Sequence, residues 1–241
     1  MLFRSEKFSS RENDIVTGII QRMENKNVYI DLGKAEAILT PNEQIPGEIY
    51  QYHDRMKTYI VEVKKTSKGP QIMVSRTHPG LLKRLFELEV PEIHDGLVEI
   101  KSVAREPGMR SKISVYTKDE NIDPVGACVG HKGMRVQTIV NELRGEKIDI
   151  VKYSSEPDQY VANALSPAKV VSTEVLEEEK ICRVIVPDYQ LSLAIGKEGQ
   201  NARLAAKLTG WKIDIKSESQ AAEEAEQGAQ EVGVAYEADE D

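Results

Sequence analysis

A duplicated unit built around Gly-x-x-Gly constrains this chain more than any other feature of its sequence. Val129-Gly130-His131-Lys132-Gly133 reappears as Ile195-Gly196-Lys197-Glu198-Gly199. In both copies a helical pattern follows, then a short loop containing glycine, and then the tetrapeptide Lys-Ile-Asp-Ile. A lone Gly-x-x-Gly carries little weight, because glycine makes up about 7% of average composition. Its repetition in matching context predicts two similar globular domains in tandem, since the period is too long for a solenoid repeat.

Each copy extends into a complete domain through its hydrophobic periodicity. Downstream of the glycines, apolar residues three and four apart predict an amphipathic helix, and the alternation in Lys-Ile-Asp-Ile predicts a strand. Upstream, each copy has one helical and two strand-like segments, which in the second copy lie at 158–165, 170–175 and 181–186. The predicted order in both domains is therefore helix, two strands, two helices around Gly-x-x-Gly, and a final strand. The apolar positions of the downstream helices are Val136, Ile139, Val140 and Leu143 in the first copy and Ala202, Leu204, Ala205 and Leu208 in the second.

The Gly-x-x-Gly turn suits a nucleic-acid ligand. Without a Cβ at either glycine, a sugar-phosphate backbone can approach the main chain closely, and the N-terminus of the following helix offers unpaired N–H groups to phosphates. The arrangement resembles the loop of KH domains, which clamps about four nucleotides of a single strand. The alternative is a tight helix-helix turn that binds nothing. The candidate RNA-binding residues are Gly130, His131, Lys132, Gly133 and Arg135 in the first copy and Gly196, Lys197, Glu198, Gly199 and Arg203 in the second.

The two loops differ in charge. The second carries Glu198 where a phosphate would approach, whereas the first carries His131 and Lys132. A carboxylate there lowers the affinity for phosphate, although it can accept a hydrogen bond from a base edge or a ribose hydroxyl. We therefore expect the first loop to contribute more to the salt-dependent part of the affinity.

Residues 14–75 show a different pattern, with short alternating strands separated by turn residues. Five strands result if the apolar runs at 15–16 and 19–20 join, which predicts a small five-stranded β-barrel. In the second strand Val28, Ile30 and Leu32 form the core face, so Tyr29 is expected on the opposite, exposed face. Two interpretations of Tyr29 stay open: a platform on which bases stack, or an ordinary surface tyrosine.

Charge and cysteine content argue against several classes of function. The formal net charge is −8, but nine acids and no Lys or Arg lie in residues 217–241. The rest of the chain is close to neutral, and the acidic end is predicted to be disordered, either as a solubilising tail or as a docking arm. No apolar run is long enough to indicate a transmembrane helix, and we expect no secretory signal. Two cysteines without Cys-x-x-Cys spacing and four scattered histidines indicate neither a metal site nor a cofactor, and no catalytic set is recognisable.

Five longer stretches carry a family resemblance. They are Gly33–Leu39, Gln44–Glu48, Val74–Leu82, Asp123–Gly130 and Leu193–Lys197. Together with the order barrel, KH, KH, they closely resemble the NusA family of bacterial transcription elongation factors over roughly residues 11–217. The resemblance implies an α+β multidomain fold, with an S1-type barrel of the OB class followed by two type II KH domains. It also implies a cytoplasmic monomer that binds nascent single-stranded RNA. Its partners would be the RNA polymerase elongation complex and other Nus-type factors, and it would regulate pausing, termination and antitermination.

The resemblance is weakest on the ligand face of the barrel. S1 domains usually offer two aromatic residues and a histidine, and the aligned positions here are Lys26, Tyr29 and Thr40. Only Tyr29 fits, so we expect the barrel to bind RNA weakly and mainly through charge. The lysines taken as candidates are Lys26, Lys64, Lys65 and Lys68.

These assignments give domain boundaries and one open question. We expect a leader at 1–10, the S1-type barrel at 11–76, the first KH domain at 80–154, the second at 157–217 and a disordered acidic tail at 218–241. Family members begin with a further domain that contacts RNA polymerase, whereas about ten residues precede the barrel here. We therefore expect either a fragment or a gene product that holds the RNA-binding half alone. The alternative function is an RNA-binding assembly factor that acts on ribosomal RNA or ribosomes without a polymerase role.

Overall fold

The computed structural model of the protein describes residues 10–227, and the chain begins with a five-stranded closed barrel. Its strands are β1 (Ile15–Glu24), β2 (Asn27–Asp31), β3 (Glu36–Leu39), β4 (Arg55–Thr66) and β5 (Gly69–Ser75). They follow one another in the order β1-β2-β3-β5-β4, and β4 pairs with β1 to complete the circle. The first two apolar runs join into one strand, as the pattern predicted, with a register irregularity between Ile20 and Arg22.

Alternate residues of each strand fill the barrel interior. Val28 and Ile30 of β2 are buried beside Leu39 of β3 and Ile60 of β4. Because successive side chains of a strand point to opposite faces, Tyr29 lies on the outer face of the barrel. The orientation of the β2 side chains is therefore as the sequence predicted.

The first KH domain has the predicted order of elements, with one additional short helix, Pro91–His94, before the first strand. Its elements are α1 (Pro79–Glu89), α2 (Pro91–His94), β6 (Glu99–Glu106), β7 (Arg110–Tyr116), α3 (Pro124–Val129), α4 (Met134–Glu142) and β8 (Lys147–Lys152). The three strands form one sheet in the order β6-β7-β8. Helix α1 begins with Pro79 at its first turn, where the missing N–H is not needed. It buries Leu82 and Phe86 and leaves Leu88 exposed.

The barrel and the first KH domain share one apolar core. Ile15 and Tyr59 of the barrel belong to the same buried cluster as Leu85 of α1 and Ile139 of α4. The ring of Tyr59 also stacks on His78, with centroids 4.4 Å apart. The contact between the two domains is therefore continuous with the interior of the KH domain.

A buried arginine ties the same two domains together. The Arg76 side chain is fully buried and forms an ion pair with Glu48 of the barrel. It also donates to the backbone oxygens of Lys57, at 2.9 Å, and of Glu142 at the end of α4, at 3.0 Å. Because a buried charge must be paired and hydrogen-bonded, these contacts fix the end of α4 against the barrel.

The second KH domain repeats the order of the first, except that one helix rather than two precedes its first strand. Its elements are α5 (Pro157–Ala164), β9 (Ser172–Leu176), β10 (Ile181–Val186), α6 (Leu191–Ile195), α7 (Gln200–Thr209) and β11 (Lys212–Ser217). The central strand β10 pairs in parallel with β11 and antiparallel with β9. The barrel and first KH domain lie in one compact unit, up to Ile150, and the second KH domain lies in another, from Val151.

The chain is helical after β11, where composition predicted a disordered tail. Residues 218–227 are in helical conformation. Ser217 and Gln220 form a reciprocal capping box at its start: the Ser217 hydroxyl accepts from the Gln220 N–H at 3.2 Å, and the Gln220 side chain accepts from the Ser217 N–H at 3.0 Å. Ser219 donates from its N–H to Asp188 of the second KH domain at 3.0 Å. The leader up to residue 9 and the tail from residue 228 lie outside the described residues.

Candidate nucleic-acid interface

The two Gly-x-x-Gly loops have nearly the same backbone conformation. We call residues 130–133 the first loop and residues 196–199 the second loop. Gly130 has φ 76° and ψ 174°, and Gly196 has φ 77° and ψ 170°. Gly133 has φ 76° and ψ 13°, and Gly199 has φ 74° and ψ 13°. In each loop the N–H of the second glycine donates to the carbonyl of the first at 3.1 Å, so the turn is closed in the same way twice.

The residue before the second glycine is also left-handed in both loops. Lys132 has φ 51° and ψ 28°, and Glu198 has φ 54° and ψ 28°. A left-handed conformation costs a residue with a Cβ roughly 1–2 kcal/mol. Both side chains are exposed. The loops therefore present one side chain each to solvent at the same strained position, and only its charge differs.

The two glycines of each loop serve different purposes. A Cβ at Gly130 would lie 2.7 Å from Cγ of Arg135, and a Cβ at Gly196 would lie 2.7 Å from the backbone N of Asn201. A Cβ at Gly133 or at Gly199 would meet nothing within 4 Å. The first glycine therefore lets the loop pack on the helix that follows, and the second faces open space, where a ligand backbone can approach.

Arg135, a predicted RNA contact, is bonded within the protein. Its guanidinium donates to the Ala127 carbonyl at 2.6 Å and to the Glu92 carboxylate at 2.9 Å. These bonds link α4, after the first loop, to the end of α3, before it. The side chain holds the loop in shape, and its availability to RNA is lower than the sequence suggested.

Asn201 has the corresponding position after the second loop and was missed at the sequence level. Its side-chain amide donates to the Ala194 carbonyl at 2.9 Å and to the Leu165 carbonyl at 3.0 Å. A signal for it exists in the sequence, because Asn201 and Arg135 each stand five residues after the first glycine of their loop. Arg203 lies elsewhere and donates to the Glu198 carbonyl at 3.0 Å.

The other predicted loop side chains are exposed on the protein surface. His131, Lys132, Lys197 and Glu198 all project into solvent. The structure therefore brings the predicted residues of each loop together at the start of a helix of at least nine residues, α4 or α7. The first loop offers His131 and Lys132, and the second pairs a lysine with a carboxylate.

Tyr29 of the barrel is half-buried, whereas the sequence predicted an exposed ring. The Arg22 guanidinium lies 3.9 Å from the ring centroid. Arg22 is held there by Glu36, to which it donates at 2.5 and 3.1 Å. One face of the ring is therefore covered by a cation that is itself paired, which limits Tyr29 as a free stacking platform.

A cavity of 480 Å³ lies beside this tyrosine. Its lining includes Tyr29, Arg22, Lys34 and Lys68. The predicted Lys26 is not part of the lining; it lies in the β1–β2 turn, where its carbonyl accepts from the Gln44 side chain at 2.7 Å. Of the four candidate lysines, Lys68 alone lines this cavity.

Among residues 10–227 no helix is long and apolar enough to cross a membrane. Within the same range no group of His, Cys, Asp and Glu could hold a metal ion. Burial raises the pKa of the Cys128 thiol to about 12, so this cysteine is protonated at neutral pH and is a poor nucleophile.

Comparison with known families matches three consecutive domains. Residues 9–75 match the S1 RNA binding domain, residues 76–153 the NusA-like first KH domain, and residues 157–223 the NusA-like second KH domain. The third match includes part of the helix at 218–227, which the sequence assigned to a tail.

Curated relatives agree with these matches, and three of them carry the name transcription termination/antitermination protein NusA. The chain is 72% identical to the protein of Halalkalibacterium halodurans over 216 residues, which are 90% of this chain and 56% of that protein. Identity to the Bacillus subtilis protein is 71% over 217 residues, 90% of this chain and 58% of that protein. Identity to the Thermus thermophilus protein is 50% over 208 residues, which are 86% of this chain and 54% of that protein. The chain thus spans about half the length of the curated relatives it matches. It belongs to the NusA family, of which it contains the S1 domain and both KH domains.

Proposed function

We propose that this chain binds single-stranded RNA at its two Gly-x-x-Gly loops and does so within a protein that acts in transcription termination and antitermination. The observation that carries the proposal is the repeated loop geometry. In both copies the second glycine faces open space, and the flanking side chains are exposed at the N-terminus of a helix. The names of the relatives support the role in transcription.

In this proposal the main chain of each loop makes the principal contact with RNA, and charged side chains add to it. An RNA backbone would approach at Gly133 and Gly199, where no side chain intervenes, and the phosphates would face the N-termini of α4 and α7. Lys132 and Lys197 would add charge-assisted contacts. Glu198 would favour a ribose or base donor over a phosphate at the second loop.

The barrel would make a secondary contact with the strand. Its cavity beside Tyr29 brings Arg22, Lys34 and Lys68 together. Because the Tyr29 ring is covered by Arg22, a base would stack on the opposite ring face or on the guanidinium plane. We therefore propose a weak, mainly electrostatic contribution from this domain.

The proposed partners are nascent RNA, the RNA polymerase elongation complex and other Nus-type factors, with the chain acting as a cytoplasmic monomer. The alternative is an assembly factor on ribosomal RNA. Affinity capture from a bacterial lysate separates them, because the proposal expects RNA polymerase subunits to be retained and the alternative expects ribosomal subunits. Recovery of ribosomal subunits without polymerase would favour the assembly-factor alternative and leave RNA binding intact.

RNA binding itself is tested by fluorescence-anisotropy titration of the full chain. The ligands are a labelled single-stranded RNA of about a dozen nucleotides and the matching DNA, long enough to span the roughly four nucleotides that one KH loop clamps. The informative variants are Gly133→Asp and Gly199→Asp, because each places a carboxylate at the proposed phosphate contact. The first glycines are avoided, since a Cβ there would clash with the protein itself.

The structure supplies matched controls for both variants. Gly96, in the first KH domain, has φ +77° and nothing within 4 Å of the position that a Cβ would occupy, like Gly133 with φ +76°. Gly210, at the far end of α7, has φ +77° and the same open space, like Gly199 with φ +74°. Aspartate therefore costs the same backbone strain in each pair. We expect both loop variants to weaken RNA binding and both controls to bind like the parent. If each loop variant matches its control, the loops are structural turns.

A further inference from the structure

The most exposed aromatic side chain among the described residues has no assigned role. Tyr189 is 80% exposed, the highest value among the exposed large hydrophobic residues of the described range. It lies in a short helical turn, Asp188–Gln190, that leads directly into α6 and the second loop. Within residues 10–227 its side chain has no hydrogen bond or ring partner. A ring this exposed is available to a ligand that can stack on it.

The backbone on both sides of Tyr189 is fixed. Asp188 accepts from the N–H of Ser219 at 3.0 Å and also from its hydroxyl. The Gln190 side chain accepts from the N–H of Lys169 at 2.8 Å. The ring therefore projects from a pinned segment, and little conformational entropy remains to be lost when a planar ligand stacks on it.

The fold does not require an aromatic residue at this position. The corresponding residue before the first loop is Asp123, whose carboxylate caps α3 by accepting from the Val125 N–H at 3.1 Å. The first KH domain thus builds the same helix and the same loop with a small polar residue. The shape of the helix and of the loop therefore does not depend on an aromatic residue at this position.

Tyr189 lies close enough to the second loop to meet the same RNA strand. Gly196 follows it by seven positions, and at 1.5 Å per helical residue this places the two about 10 Å apart along the helix. Even at the compact spacing of about 3.4 Å per nucleotide, the roughly four nucleotides that a KH loop clamps span this distance. Leu193 is exposed one helical turn after Tyr189, on the way to the loop. The surface is thus continuous with the proposed RNA contact.

We propose that Tyr189 is a stacking platform for one base of the RNA strand that is clamped at the second loop. This inference rests on the proposed RNA binding and adds a contact beyond the loop itself. Stacking on an aromatic ring tolerates any base, because every base has a π-face. It also involves no phosphate, so its contribution does not depend on salt.

The test compares three full-chain variants by anisotropy titration with the same RNA. Tyr189→Ser removes the ring, Tyr189→Phe keeps it, and Tyr52→Ser removes a ring of similar exposure, 67%, from the barrel surface. We expect Tyr189→Ser to weaken binding at least about fivefold with an unchanged salt slope. Tyr189→Phe and Tyr52→Ser should bind like the parent. In a series of RNAs that each carry one abasic nucleotide, we expect one RNA to bind the parent more weakly than the intact RNA does. The same RNA should bind Tyr189→Ser as well as the intact RNA does.

Two results would overturn the platform. One is a Tyr189→Ser variant that binds like Tyr52→Ser, and the other is a loss of affinity that disappears at high salt, since that would report a phosphate contact. The Gly199→Asp variant separates this failure from that of the proposed function. If Gly199→Asp weakens binding and Tyr189→Ser does not, the loop binds RNA and Tyr189 is not a stacking platform. If neither has an effect, the second loop binds no RNA at all.

Discussion

Exchanging the charges of the two loops should exchange their affinities for RNA. Lys132 and Glu198 occupy the same left-handed position, with φ and ψ that differ by no more than 3°. Both side chains are exposed. Neither Lys132→Glu nor Glu198→Lys therefore changes the backbone strain or the packing, and each variant alters only the charge that meets the ligand.

The size of the effect follows from Coulomb's law. A unit charge about 6 Å from a phosphate in water contributes about 0.7 kcal/mol, and the exchange of Glu for Lys changes the charge by two units. The total of about 1.4 kcal/mol corresponds to about tenfold in affinity at low salt. At physiological ionic strength the Debye length of about 8 Å reduces the effect to about threefold. Each phosphate contact that a variant adds or removes on a single strand should change the salt slope by about 0.7.

Anisotropy titrations of the full chain between about 50 and 200 mM salt measure both quantities. We expect Glu198→Lys to tighten binding and steepen the salt dependence, and Lys132→Glu to do the opposite. Glu178→Lys is the matched control, because Glu178 is an exposed acid in the β9–β10 turn of the second KH domain. If Glu178→Lys tightens binding as much as Glu198→Lys, net charge alone is responsible and the loops are not the contact.

Two further predictions concern stability. Arg76→Met should lower the free energy of unfolding by about 3–5 kcal/mol relative to the parent, because it leaves the buried Glu48 carboxylate without its main cation. Urea unfolding measures this difference. Arg55→Met, at an exposed position, is the control, and an equal loss of stability in that variant would contradict the prediction. Burial raises the pKa of Glu146, but the hydrogen bonds and positive charge of Arg105, together with hydrogen bonds from Ser111 and the Gly108 N–H, outweigh burial and lower that pKa below its ordinary value. The resulting stabilisation is complete above the unfolded-state pKa of about 4.3 and is lost as pH falls through the lower folded-state value. The difference in urea midpoint between parent and Glu146→Gln should therefore narrow below about pH 4.3, and a constant difference would refute this assignment.

The order of elements was predictable because periodicity reports which face of each element is buried. The helix at 200–209 ends at Gly210, whose φ of 77° only glycine adopts without strain. The helix at 218–227 was not predicted, although its signal is present. Ser217 and Gln220 form a capping box, but the averaged acidity of the segment outweighed this local pattern.

Contacts between strands were beyond the sequence. Arg22 covers Tyr29 because the two residues are register partners in the β1–β2 pair. The irregularity after Ile20 shifts that register by one residue, and a shift of this kind decides which side chains become neighbours. An alternating pattern identifies the outer face of a strand, but it does not identify the residue that lies across from it.

The two loops share their backbone shape and differ in the side chains that they expose. Their backbones agree within a few degrees, although Arg135 braces one and Asn201 braces the other. A strained conformation that is reached twice with different supporting residues indicates that the backbone shape is the common requirement. The exposed chemistry then differs: charge at Lys132 in the first loop, and an aromatic ring at Tyr189 near the second. Raising the salt concentration should therefore make the Gly133→Asp variant progressively more like the parent in RNA affinity than the Gly199→Asp variant, because we expect the first loop to rely more on phosphate contacts; anisotropy titration of both variants between about 50 and 200 mM salt measures the difference.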